Sequence, residues 1–141
     1  MLLTLIHRAA WRLYAVCRAR GECELLDFLQ APAGDRLAGD KADLLSELVR
    51  MAQTFEWQPN NSERTHIVDR RERIWQTGIR GVRVLWFYDE GRLMVFSHGF
   101  PKTTRKTPDQ ELDKARRAIR AYFRAKTEGN LHFLGDIDGG E

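Results

Sequence analysis

Two apolar runs, residues 81–88 (GVRVLWFY) and 92–100 (RLMVFSHGF), constrain this chain more than anything else in it. Asp89, Glu90 and Gly91 separate them. β-Branched and aromatic residues crowd both runs, and the short insert ends in a glycine free to take positive φ. The segment therefore reads as a β-hairpin. With a three-residue loop, Phe87 faces Leu93, Leu85 faces Val95 and Arg83 faces Ser97. Val82, Val84 and Trp86 then share the other face with His98, Phe96 and Met94. Both faces are apolar, so the hairpin has to be covered on both sides. Arg83 is the exception. A charged residue on such a strand either reaches the sheet rim or lines a cleft.

The rest of the chain supplies the covering elements. Residues 11–18 (WRLYAVCR) read as a first strand, and the residues before them either extend it or form a short helix. Residues 22–30 (ECELLDFLQ) read as a short helix that stops before Ala31 and Pro32. Asp40 can cap a helix over 41–57, where Leu44, Leu45, Leu48, Val49, Ala52 and Phe55 form one stripe. Gln58, Pro59, Asn60 and Asn61 end it. Residues 67–76 read as one further strand. The last helix opens with Thr107 at N-cap, Pro108 at N1 and Gln110 at N3. Leu112, Ala115, Ile119, Tyr122 and Phe123 make its buried stripe. The expected fold is α+β: a small antiparallel sheet with an N-terminal helical hairpin and a C-terminal helix, in one domain over 1–128. A Gly-rich acidic tail, expected to be a loose end, follows over 129–141.

The net charge of +3 hides an uneven distribution. Residues 64–106 carry ten Lys/Arg against four Asp/Glu. A basic segment inside a near-neutral chain points to a polyanionic partner. Cys17 and Cys23 make no disulfide framework and have no neighbouring metal-ligand pattern. With no long apolar run and no secretory leader, the chain reads as cytoplasmic with reduced thiols. There is no P-loop, GxGxxG, HExxH or GxSxG motif. No metal and no cofactor are expected; the DIDGG of the tail is half a calcium loop without the later ligands.

Residues 82–122 (VRVLWFYDEGRLMVFSHGFPKTTRKTPDQELDKARRAIRAY) resemble the phage-derived HigB-like branch of the RelE/ParE toxin superfamily. The likeness lies in an Arg-bearing strand ending in aromatics, an Asp/Gly turn, and a strand running into His98, Gly99 and Phe100. A basic Lys/Thr segment with Thr107 and Pro108 follows, then a helix that starts acidic and continues with Ala and Arg. In place of the Glu-Leu-Arg element common in that branch, this chain has IWQTGIR over 74–80, and Thr103 replaces a lysine. The resemblance implies a RelE/ParE-like fold and the toxin of a type II toxin–antitoxin system. RelE-type relatives enter the ribosome and cut messenger RNA without a metal, which stops translation. The implied partners are the ribosome, mRNA and a cognate antitoxin, often of helix-turn-helix type. ParE-type relatives inhibit gyrase, and a non-catalytic nucleic-acid-binding module is the third reading.

Metal-free RNA cleavage must deprotonate the 2′-oxygen, stabilise the phosphorane and protonate the leaving 5′-oxygen. Arginine holds phosphate bidentately, and a lysine among other cations is suited to moving protons. On that chemistry Arg83 and Arg80 hold the scissile phosphate, and Lys102 or Lys106 transfers protons. Arg71, Arg73 and Arg105 are candidates for the RNA backbone; for Arg71 and Arg73 the other reading is a charged edge strand. His98, grouped with the RNA contacts, reads as either a structural histidine or a proton shuttle.

Overall fold

The computed structural model describes residues 1–54, 56–58 and 62–135. Seven strands form one mixed sheet in the order β3-β4-β5-β6-β2-β1-β7. In chain order these are β1 (Leu2–Arg8), β2 (Arg12–Val16), β3 (Thr65–Asp69), β4 (Ile74–Ile79), β5 (Val82–Asp89), β6 (Leu93–Pro101) and β7 (His132–Leu134). Helices α1 (Glu24–Leu29) and α2 (Ala38–Met51) lie between β2 and β3, and α3 (Asp109–Thr127) lies between β6 and β7. Among the described residues, no helix is long and apolar enough to cross a membrane.

This corrects the expected small antiparallel sheet with an N-terminal helical hairpin. The chain opens instead with a hairpin of strands, β1 against β2. β2 then lies parallel to β6, and β7 lies parallel to β1. The physical reason is that Leu3, Leu13, Tyr14 and Ala15 are all fully buried, which only a place inside the sheet provides. The helices serve as covers. α1 and α2 pack on one face over Leu13, Ala15, Val82, Val84, Trp86, Met94 and Phe96. α3 packs on the other over Leu3, Tyr14, Leu85, Phe87, Val95 and Phe100. The two-sided burial demanded by the central hairpin is met in this way.

The strand expected over 67–76 is two strands joined by a tight turn. Asp69 makes the turn by accepting the Glu72 N–H at 3.0 Å, and Arg73 adopts φ 60°. The central hairpin forms in a shifted register. Asp89 pairs with Leu93, so the loop is Glu90, Gly91 and Arg92, with Gly91 at φ 78°. Phe87 pairs with Val95 and Trp86 with Phe96; the register then slips, and Leu85 pairs with His98. This β-bulge leaves Ser97 as the extra residue and exchanges the faces beyond it. His98 and Phe100 thereby turn toward α3, and Arg83 pairs with Phe100 rather than Ser97.

At the start of α3, Pro108 is the N-cap, and its carbonyl accepts the N–H groups of Glu111 and Leu112. The Thr107 hydroxyl, expected to cap the helix, donates instead to Gln76 Oε1 at 2.7 Å. Asp40 lies inside the first turn of α2 rather than capping it. Phe55 and residues 59–61 and 136–141, the last with the DIDGG motif, lie outside the described residues.

Candidate functional site

The bulge and the turn between β4 and β5 build a cleft of ≈ 10 Å³, room for about one water, on the α3 face at one end of the sheet, so any larger group would meet the side chains at its mouth. Gln76, Arg83 and Phe100 line it from the strands, and residues 102–108 line it from the loop leading into α3. Gln76 is buried and tied to Thr107, which fixes the loop to β4. The Lys102 N–H donates to the Gly81 carbonyl at 2.8 Å, which fixes the loop to the β4–β5 turn. Thr104 Oγ1 donates to the Lys106 carbonyl at 2.6 Å and folds the loop on itself. Arg83, Lys102, Arg105 and Lys106 are therefore brought to one pocket. Among the described residues, none of these four has a carboxylate partner.

Arg83 is set with particular care. Its Nη1 donates to the carbonyls of Arg80 and Val82, each at 2.7 Å. Both hydrogens of that nitrogen are thus used, and Nε and Nη2 find no acceptor among the described residues. These two N–H groups form the side-on fork with which a guanidinium holds a phosphate. Partial burial pulls the guanidinium's pKa below its usual value. A cation held in part from water, with its fork unpaired, gains by meeting an anion. The side chain lies across Gly78, the cross-strand partner of Arg83. A Cβ at Gly78 would stand 2.6 Å from Arg83 Cδ and 2.7 Å from Nε.

Arg80 does not enter the pocket. Its Nε donates to Asp40 Oδ1 at 2.7 Å, and its Nη2 is bound to Asp43. Asp40 Oδ2 also accepts the Gly81 N–H at 3.1 Å. These bonds hold the Asp40 carboxyl below its ordinary pKa, the Arg80 bond first. They also stabilise a turn in which Arg80, a non-glycine, takes φ 42°. The turn matters because its carbonyls hold Arg83 and Lys102. Asp40 of α2 thus braces the pocket from the opposite side of the sheet.

The remaining expected residues sit elsewhere. His98 is 1% exposed, with Nδ1 at 2.8 Å from Ser97 Oγ and Nε2 at 2.9 Å from Glu111 Oε1. Burial pulls its pKa down, and the Glu111 bond opposes that only in part. With both ring nitrogens engaged, it ties β6 to α3. Arg71 and Arg73 lie in the β3–β4 turn, five or more residues along β4 from Gly78, or roughly 17 Å at strand rise. Gln76, Gly78 and Asp40 are site residues that sequence reasoning passed over. Gly78 carried a signal, since a glycine inside a strand marks close approach by a neighbour. Asp40 carried none, because its partner is forty residues away.

A protein-family model described as phage derived protein Gp49-like (DUF891) matches residues 40–120. That span holds all but the first two residues of α2, β3 to β6 and the first two-thirds of α3, and with them the whole pocket. No curated protein matches the chain.

Proposed function

Since this chain belongs to the phage-derived Gp49-like family, one associated with RelE-like toxins, we propose that it is the toxin of a toxin–antitoxin pair and acts by cutting messenger RNA on the ribosome. The observation that carries the reading is the convergence of Arg83, Lys102, Arg105 and Lys106 on one pocket without carboxylates to neutralise them. Arg83 offers its Nε–Nη2 edge to the scissile phosphate and stabilises the charge that grows on the phosphorane. Lys102 or Lys106 takes the 2′-hydroxyl proton and supplies one to the 5′-oxygen. Arg105 holds a neighbouring phosphate. Arg80 contributes through the turn it braces rather than by touching the phosphate. The partners in this reading are the ribosome, mRNA and a cognate antitoxin that silences the toxin.

Induced expression tests it. Growth should stop, and primer extension should show new 5′ ends inside translated messages. Arg83→Ala and Lys102→Ala should abolish both effects while the protein still accumulates. Growth arrest with intact messages and a DNA-damage response would replace this reading with a gyrase-directed toxin. Normal growth with the wild-type chain would leave only a nucleic-acid-binding module.

A further inference from the structure

A second concave site lies at the far end of β4. The last β4–β5 pair is Trp75 with Trp86, yet β5 continues through Phe87, Tyr88 and Asp89. There β4 has already turned away into the β3–β4 turn. The step leaves a notch of ≈ 610 Å³ lined by Trp75, Phe87, Tyr88 and Phe123 together with Arg70, Arg73 and Glu72. Such a volume suits a small planar ligand group. Phe123 is 38% exposed although it lies beside a packed helix face. Among the described residues, neither Arg70 nor Arg73 has a carboxylate partner.

The notch shares Glu72 with a longer groove that carries four arginines and three carboxylates. Asp69, Arg71, Glu72, Asp113, Arg116, Arg117 and Arg120 line that groove between the β3–β4 turn and α3. Its carboxylates are already engaged: Asp69 and Asp113 by Arg116, and Glu72 by Arg120. Arg71 and Arg117 remain unpaired among the described residues. From Asp113 to Phe123 the helix rises about 15 Å. An isolated apolar pocket would suit a peptide side chain. An aromatic notch at the end of an arginine groove of this length suits a nucleic-acid strand, whose backbone needs cations in series and whose bases need flat apolar faces.

We propose that this notch is a second RNA site, separate from the Arg83 pocket, which takes one unpaired nucleobase of a single strand. The base stacks against Phe123, its phosphates meet Arg70 and Arg73, and the strand follows Arg71 and Arg117 along α3. The inference shares with the reading above only the choice of RNA as the polyanion; it does not need the chain to cut.

The test uses the full chain carrying Arg83→Ala, so that no cleavage intervenes. The probe is a ten-nucleotide single-stranded RNA with a central 2-aminopurine. Binding should quench the probe. Phe123→Ser and the pair Arg70→Glu/Arg73→Glu should each weaken binding about tenfold or more, as loss of one stacked base does. Arg20→Ala, in the exposed turn between β2 and α1, should change it little. Binding that ignores Phe123→Ser overturns the proposal. So does Phe123-dependent binding of an acidic amphipathic peptide with none of the RNA, which would make the notch a protein-docking surface. Notch binding in a chain that never cuts messages refutes the ribonuclease and leaves this site standing; cleavage without notch binding does the reverse.

Discussion

Gly78→Ala separates the pocket from the fold. Gly78 sits inside β4 without a positive φ, so alanine fits its backbone. A strand glycine costs roughly 0.5–1 kcal/mol relative to alanine, so backbone propensity alone makes this substitution stabilising. The structure predicts otherwise. The new Cβ would stand 2.6–2.8 Å from Cδ, Nε and Nη1 of Arg83, well inside contact distance. Those atoms are the far end of a flexible side chain, so Arg83 swings out and the strand stays. Arg83 then loses its two bonds to the Arg80 and Val82 carbonyls. A bond from a charged donor contributes about 1.5–3 kcal/mol, and a half-exposed guanidinium recovers part of that from water. Set against the propensity gain, the net loss is about 1–2 kcal/mol, or a fall in Tm of roughly 3–8 °C. The effect on cleavage should be far larger, about 10²–10³-fold, as for loss of one charge-stabilising group. Thermal melting and message cleavage are measured on the same preparation. Cleavage within twofold of wild type would refute the reasoning. So would a collapse of the fold, which would mean that the strand, not Arg83, gives way.

Other expectations follow from single contacts. Asp40→Ala frees the β4–β5 turn and should reduce cleavage more steeply than it lowers Tm; an equal loss of both would make Asp40 merely structural. Tyr122 donates to Asp89 Oδ2 at 2.5 Å in a buried setting, so Tyr122→Phe should cost about 1–2 kcal/mol in urea unfolding. A Cβ at Gly99 would meet Phe28 Cδ2 at 2.4 Å, so Gly99→Ala should push α1 off the sheet and be destabilising in the same assay. Burial holds the pKa of His98 below 6.5, so between its folded value and 6.5 the unfolded chain binds the extra proton. Stability should therefore fall as pH drops below about 6.5, and His98→Gln should remove that part of the slope.

Local signals carried the legible part of the fold. The stripe Leu112, Ala115, Ile119 and Tyr122 repeats at helical spacing, and α3 forms there. The apolar runs around Asp89 and Gly91 form β5 and β6. Arg83 stood out as a charge on an apolar strand, and it lies in the pocket. What was missed depends on distant partners. β2 pairs in parallel with β6 some eighty residues later, and no local pattern announces that choice. The bulge at Ser97 costs nothing in composition, yet it moves His98 to the other face of the sheet. Arg80 looked like a second phosphate ligand because Asp40 and Asp43 are remote in sequence. Their carboxylates decide its role, and only the folded chain brings them to it.

The central claim is that unpaired cations around Arg83 stabilise an RNA strand as it breaks. Its most direct test is single-turnover cleavage of a message on programmed ribosomes, comparing the wild-type chain with Arg83→Ala. The account predicts a loss of about 10²–10³-fold in the cleavage step with a fall in Tm of roughly 3–8 °C, as for Gly78→Ala, since the same two carbonyl bonds are lost. Equal rates for the two proteins, or no cleavage by the wild-type chain, would contradict it.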